Sequence, residues 1–476
     1  MTFSPETFKE NAAAALANAD LQQALGHVRT NFVEKRRAAR ARLPEFDQLR
    51  DEAKAIKDHT LAHLDLYLEA FEKKVLENGG TVHFAETAAD ANGIILTLVR
   101  EAKAKTITKG KSMISEEIHL NKALEAAGLK VIETDLGEYI IQLRGETPSH
   151  IIAPAVHLTK AQVEADFRRV HTHLDPNRRL DEPAELVAEA REQLRAAFLA
   201  ADVGITGANF LIAETGTSVI VTNEGNGDLT QSLPKTHIVI TSIEKLVPTL
   251  EDVSTILRVL ARSATGQEIS TYTTFSTGPK RTGDPDGPEN YHVVILDGGR
   301  TEMLAGEFRE ALRCIRCGAC INHCPIYHAV GGHAYGSVYT GPIGAVLTPA
   351  LTDPEKAKHL PNASTFCGRC EEVCPMRIPL PKMLRHWRER EAERAKVSGP
   401  PRRYMRAWAY VAKRPALYRT AVGLAIPALW LFGLGRGSLR RLPLAGSWTS
   451  ERDFPRPEGR TFSQLWTGPR GLDDLP

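Results

Sequence analysis

The chain has 476 residues, 42% of them hydrophobic and 25% charged, with a formal net charge of +2. That length exceeds what one hydrophobic core usually supports, so two or more domains are expected. The near-neutral balance gives no support to nucleic-acid binding, and the ordinary composition is that of a globular protein.

The opening stretch, "MTFSPETFKENAAAALANADLQQAL", has early acidic residues and no basic region ahead of an apolar core, so it reads as neither a secretory signal nor a transit peptide. The expectation is a reducing cytoplasm, where clustered cysteines more often hold metal than form disulfides. Residues 1–78 are rich in helix formers with apolar positions at helical spacing, as in "HLDLYLEAFEKKVLENGG", which predicts helices ending at Gly79 and Gly80.

Residues 79–300 alternate short apolar runs with amphipathic segments. "KVIETD", "HIIAPAV", "NFLIAE", "SVIVTN", "HIVITSI" and "YHVVILD" read as strands, and Ala88–Lys105, Glu116–Ala127 and Ala184–Ala201 as helices. This alternation predicts an open α/β sheet, and "NFLIAETGTSVIVTN" predicts a hairpin connected by Glu214–Thr217 that makes the sheet mixed. Residues 301–397 read as an all-α, cysteine-bearing module. A boundary at Ser398 opens a basic tail, 398–476, rich in Pro and Gly.

One tail segment raises the question of a membrane. Ala421–Leu434, "AVGLAIPALWLFGL", is short of the roughly 20 residues of a spanning helix, and Pro427 is expected to interrupt it. It reads as a docking segment for a partner subunit or the membrane surface, because Arg402, Arg403, Arg406, Lys413, Arg414, Arg440 and Arg441 suit an anionic lipid face. The plainer alternative is a buried helix.

All seven cysteines lie between Cys314 and Cys374. The first motif, C-x2-C-x2-C-x3-C-P, is Cys314, Cys317, Cys320, Cys324 and Pro325; the second, "STFCGRCEEVCP", supplies Cys367, Cys370, Cys374 and Pro375, with Ser364 where a leading cysteine should stand. Three thiolates on a tight turn suit three corners of a cubane, while the fourth cysteine reaches another cluster. Cys314, Cys317 and Cys320 should then pair with Cys374, and Cys367 and Cys370 with Cys324. The second set lacks a thiolate. It is completed by the Ser364 hydroxyl, water or a partner group, or it holds a three-iron cluster. Zinc sites give no reason for the run or its near-repeat. His323 and His328 read as residues tuning the surroundings, and Tyr335 and Tyr339 as packing. The long connection between the motifs favours a helical ferredoxin module with a helix at Ile343–Leu351.

With both halves in view, the chain resembles the lactate-utilization protein B family, an N-terminal LUD domain fused to a two-cluster 4Fe-4S ferredoxin region and a short tail. The resemblance rests on "TDLGEYIIQL", "SHIIAPAVHLTK", "ANFLIAETGTSVIVTNEGN", "THIVITSIEKLVPTLED" and the two cysteine motifs, the serine at 364 included. It implies an iron-sulfur subunit of an L-lactate oxidation system, working with a cysteine-rich-domain subunit and a second LUD protein. It also implies a sheet similar to sugar-phosphate isomerase and CoA-transferase folds.

Within the LUD half, "AETGT" and "TNEGNGD" place Glu214, Thr215, Thr217, Asn223, Glu224 and Asn226 among glycines at strand ends, where α/β sheets bind ligands. "TKGKSMISEE" adds Lys109, Lys111 and Ser112 ahead of a helix, an anion pocket in one reading and a capped helix with solvated lysines in the other. Electron transfer towards an unidentified acceptor is the leading function. The alternative is a LUD-domain enzyme of acyl-transfer or isomerase type, with Glu214 as nucleophile or base and clusters in structural or sensing roles. A redox-sensing regulator is a third reading, disfavoured by the neutral charge.

Overall fold

Four helices open the chain in the computed structural model: α1 (Phe8–Ala17), α2 (Ala19–Ala41), α3 (Phe46–Ala62) and α4 (Leu64–Glu77). The structure describes residues 4–394, 400–433, 437–442, 446, 449 and 452–466. Asn18 caps α2 by accepting from the Leu21 N–H. The chain leaves α4 at Gly79, whose φ of +85° suits glycine, and a Cβ on Gly80 would fall 2.8 Å from the Tyr291 ring, so the glycine pair ends the helix and lets β1 lie close.

Six strands follow in one parallel sheet: β1 (Thr81–Ala85), β2 (Thr106–Lys109), β3 (Lys130–Glu133), β4 (Val203–Gly207), β7 (Thr236–Ser242) and β10 (Asn290–Leu296), in the spatial order β1-β10-β7-β4-β2-β3. Helices cover both faces of such a sheet, and "THIVITS" of β7 is accordingly buried at every position. Ile238 pairs with Ile205 of β4 on one side and His292 of β10 on the other. A smaller sheet is formed by β5 (Phe210–Ile212), β6 (Thr217–Thr222), β8 (Leu246–Val247) and β9 (Tyr272–Ser276) in the order β8-β5-β6-β9. Its hairpin sets Phe210 opposite Val219 and turns through Gly216 at φ +68°. The mixed pairing expected from the sequence is thus confined to this second sheet.

Three local expectations change. "HIIAPAV" is no strand but a bent loop. Its apolar residues face the cysteine-bearing region instead of a sheet neighbour, and Pro154 removes a donor from any ladder. The helix expected over Glu116–Ala127 splits into Met113–Glu117 and Leu120–Ala126 at His119, which has φ +53°. The helix starting at Ala88 stops at Glu101 rather than Lys105, and Lys103 takes a left-handed turn.

The unit Met1–Glu391 also holds the cysteine region, which contains only helices and loops among its described residues. One apolar core joins Leu25 and Val28 of α2, Phe46 and Leu49 of α3, Val219 of β6, Ile256 of helix Leu250–Ala264, and Cys317, Tyr327 and Met376. The opening helices therefore pack into the cysteine region. The inter-motif helix runs Gly341–Leu351.

The second unit, Ala392–Pro476, has helices Pro400–Ala412 and Pro415–Phe432 and a short antiparallel pair, Ser438–Leu439 with Phe454–Pro455. Helix Pro415–Phe432 is long and apolar enough to cross a membrane by length and composition, and none of its residues is buried. Contrary to the sequence expectation, it continues through Pro427, losing there only the N–H that would bond to residue 423. The expected boundary residue Ser398, and Leu434 at the end of the apolar run, lie outside the described residues.

Candidate metal centre

The seven cysteines are free thiols. In the first motif Arg316 (φ +58°) and Gly318 (φ +72°) hold left-handed conformations on either side of Cys317. These two reversals bend the chain so that Cys314, Cys317 and Cys320 line one cavity, walled by Ile151, Ile343, Met376 and Leu380. The fourth cysteine in that cavity is Cys374, from the second motif.

The second motif repeats the device, with Phe366 at φ +53° and Gly368 at φ +78° on either side of Cys367. A non-glycine residue at positive φ is costly and concentrates at functional sites, so its repetition at matching positions is informative. Cys367, Cys370, Ser364 and the first motif's Cys324 line a second cavity together with His323. Ser364 stands where Cys314 stands in the first motif. The Arg316 N–H donates to Cys314 Sγ at 3.4 Å, and the Phe366 N–H donates to Ser364 Oγ at 3.2 Å.

The donor set fits iron-sulfur clusters. Burial, then neighbouring thiols, push Cys317 and Cys320 well up, and Cys374 is raised to about 11 and Cys370 to about 12. Buried thiols packed together resist losing their protons unless a cationic centre takes the charge. The Tyr335 hydroxyl is buried against Cys324, a donor placed towards its sulfur. His323 donates from Nδ1 to the Ala319 carbonyl at 2.9 Å, and His328 Nε2 lies 2.7 Å from the Asn322 carbonyl. Tyr339 donates to Glu117, and Arg316 stacks over its ring at 4.8 Å.

The second motif is held from the opening helices. Arg50 donates to the carbonyls of Glu372 and Cys374, and Arg36 Nη2 to that of Val373 at 2.8 Å. These carbonyls end helix Arg369–Glu372, where cationic donors are favourable. On the sheet side, Glu244 is fully buried between Arg300 and Arg316, at 2.9 and 3.2 Å. Burial works to raise its carboxyl, but the two arginines and Lys245 outweigh it and hold it at about 2. Burial lowers Lys57, which donates to the Glu244 and Leu246 carbonyls, to about 7.

A larger cavity of about 270 Å³ opens at the carboxyl ends of the parallel strands. Strand order reverses between β2 and β4, and the residues just after both, Gly110–Ile114 and Ala208–Asn209, line it, as the switch-point rule for open α/β sheets anticipates. Lys111, Ser112, Asn223, Glu224 and Asn226 are all on its wall. Glu214, Thr215 and Thr217 are not: they form the β5–β6 turn, where Glu214 is exposed and Thr215 Oγ1 donates to Thr217 Oγ1 at 2.8 Å. Ser112 spends its hydroxyl capping the Ser115 N–H, and Lys111 donates to the Ile152 carbonyl at 2.6 Å. Lys109 is buried in an ion pair with Glu133 at 2.8 Å, off this wall.

Sequence reasoning missed Arg36 and Arg50, which act across more than 300 residues, and Glu244 and Lys245, whose partners lie on other elements; none carries a local signal. It also missed His150, buried in the "HIIAPAV" loop. Its Nδ1 accepts from the Ile152 and Ala153 N–H groups and its Nε2 bonds to Asn322 Oδ1 at 2.9 Å, tying the loop to the first motif. Burial lowers it to about 3, against the raising effect of the Asn322 hydrogen bond.

Three family models match the chain: the LUD domain over residues 68–296, the 4Fe-4S dicluster domain over 310–378, and the lactate utilisation protein B C-terminal region over 382–468. The chain is 41% identical over 464 residues to a lactate utilization protein B of Lysinibacillus sphaericus, covering 97% of each. It is 43% identical over 468 residues to the protein of that name from Oceanobacillus iheyensis, covering 97% of this chain and 96% of the other. It is also 42% identical over 449 residues to the uncharacterized electron transport protein YkgF of Escherichia coli, with 94% and 92% covered. Among solved structures it is similar to a DUF162 family protein from Deinococcus radiodurans, at a TM-score of 0.27 and 17% identity, covering 49% of this chain and 98% of that one. Iron-sulfur ligation and the three-part layout agree, and the chain belongs to the lactate utilization protein B family.

Proposed function

We propose that this chain is the electron-transfer subunit of a multi-protein system oxidising L-lactate to pyruvate. Its partners are a cysteine-rich-domain subunit and a second LUD protein, and its location is the cytoplasm. Two 4Fe-4S clusters are assigned, the first held by Cys314, Cys317, Cys320 and Cys374, the second by Cys324, Cys367 and Cys370 with Ser364 as candidate fourth ligand. The observation that carries the reading is the exchange of Cys374 and Cys324 between the two cavities, the pattern of two-cluster ferredoxins.

A cubane bound in such a set supplies a one-electron couple whose potential follows net charge, hydrogen bonds to sulfur and solvent exposure. The chain's own residues set those variables unequally. The first cavity is lined by buried cysteines except Cys314, and Lys57, Lys245 and Arg316 bring positive charge near Cys314. The second has the exposed Cys367 and a serine in place of a thiolate. Cations beside the first set favour its reduced form, while burial, which penalises the added negative charge, opposes it; the exposed second set exchanges electrons at the surface. No acid-base constellation is needed for this task.

The reading is tested by mixing the anaerobic chain with its partner subunits and L-lactate. The visible absorbance of the clusters should bleach, and Cys374→Ser should abolish the bleaching. Turnover with unbleached clusters would remove the electron-transfer role.

A further inference from the structure

The cavity at the sheet edge and the first cysteine cavity have two wall residues in common, Ile151 and Arg316. Five ionisable groups line the sheet cavity: Lys111, Lys245, Arg316, Asp135 and Glu224. Lys111 is engaged by the Ile152 carbonyl and stands near Glu224. Arg316 is paired with Glu244 at 3.2 Å. Lys245 remains: only 7% exposed, it has no hydrogen bond or ion pair among the described residues. It lines the sheet cavity and not the cysteine cavity, although its charge also acts on Cys314. A buried ammonium with no partner is costly, and a cation left open in a cavity at a switch point marks where an anionic group docks.

We propose that this cavity binds a small organic monocarboxylate, its carboxylate held by the Lys245 ammonium beside Arg316. The volume of about 270 Å³ falls just under the range of roughly 300–1,000 Å³ for drug-sized ligands. Ile151, Ile220 and Leu260 offer the apolar wall a short carbon chain needs. Asp135 and Glu224 on the same wall oppose a second negative charge, which favours a carboxylate over a phosphate. Because Arg316 faces both cavities, an anion here also senses the charge at the first cysteine set. Reduction there adds negative charge and weakens carboxylate binding, and by reciprocity the bound carboxylate makes reduction harder. This linkage rests on the electron-transfer reading; the binding does not.

The test uses anaerobic full-length protein of measured iron and sulfide content, titrated calorimetrically with L-lactate, pyruvate, acetate and inorganic phosphate, before and after reduction. One monocarboxylate should bind once per chain, in preference to phosphate. Lys245→Met should weaken it at least about tenfold and Lys245→Arg should restore most of the loss, both variants keeping their iron. A tenfold weaker affinity after reduction corresponds to a fall of about 59 mV in the midpoint potential with saturating ligand. The site is overturned by no binding of any monocarboxylate at about 10 mM, by preference for phosphate, or by undiminished affinity in Lys245→Met. Lys245-dependent binding with equal affinities in both oxidation states overturns the linkage alone. Anaerobically purified protein that carries no iron or sulfide yet binds the carboxylate overturns the electron-transfer reading and leaves the site standing.

Discussion

Arg50 on α3 grips the carbonyl of Cys374 through two donors, Nε at 3.1 Å and Nη2 at 2.7 Å, across 324 positions of sequence. The opening helices thus fix the one cysteine that crosses from the second motif into the first cavity. Arg50→Ala leaves the buried Cys374 carbonyl with only the Arg377 N–H at 3.3 Å and the partly buried Glu372 carbonyl without its side-chain donor, about 1–3 kcal/mol in all. Its thermal midpoint should fall by several degrees, and its iron should be lost faster to a chelator than wild-type iron. A variant as stable and as slow to lose iron would remove this role.

The proposed crossed ligation makes an unusual demand on single cysteine variants. Cys324→Ala, in the first motif, should spare the paramagnetic signal of the Cys314 set and remove that of the Cys367 set, while Cys374→Ala, in the second motif, should do the opposite. Each should lose about half the iron. If instead each variant removes the signal of its own motif, the ligands are not exchanged.

Ser364 occupies the place of a thiolate, its Oγ receiving the Phe366 N–H as Cys314 Sγ receives that of Arg316. Ser364→Cys should therefore complete the second set and lengthen the survival of its signal in air. Iron counting and timed exposure to oxygen check this. Unchanged lability would show that residue 364 is not at the metal.

His237 in β7 is 1% exposed, hydrogen-bonded to Thr206 Oγ1 at 2.8 Å, and lowered by burial to about 3 from its usual 6.5. With the folded value below the unfolded one, the unfolded chain binds the extra proton as pH falls. The stability is complete above about pH 6.5 and declines below it, by about 2 kcal/mol between pH 7 and 5. His150, lowered in the same way, adds to that slope. Thermal midpoints measured from pH 7.5 to 5 should fall steadily, and His237→Gln should flatten part of the fall.

What could be read from the sequence was what local chemistry dictates. Cysteine spacing anticipated which cysteines, and the odd serine, line each of the two cavities, because those residues sit on tight turns whose geometry depends on their neighbours. Strands such as β7 and β10 were legible because strands buried on both faces become continuous apolar runs. The "HIIAPAV" loop was misread for the same reason: an apolar run docked on another element looks like a strand until Pro154 is weighed. Glycines at "AETGT" marked a hairpin turn rather than a ligand site, whereas those at "TNEGNGD" reached the cavity, and composition does not separate the two. Arg50 and Lys245 became meaningful only when the fold brought distant segments together.

The central claim is most directly tested by iron and acid-labile sulfide analysis of anaerobically purified protein, read with its electron paramagnetic resonance spectrum after reduction. The account predicts about eight irons and eight sulfides per chain and two interacting paramagnetic centres. A colourless protein carrying zinc, with no labile sulfide, would contradict it.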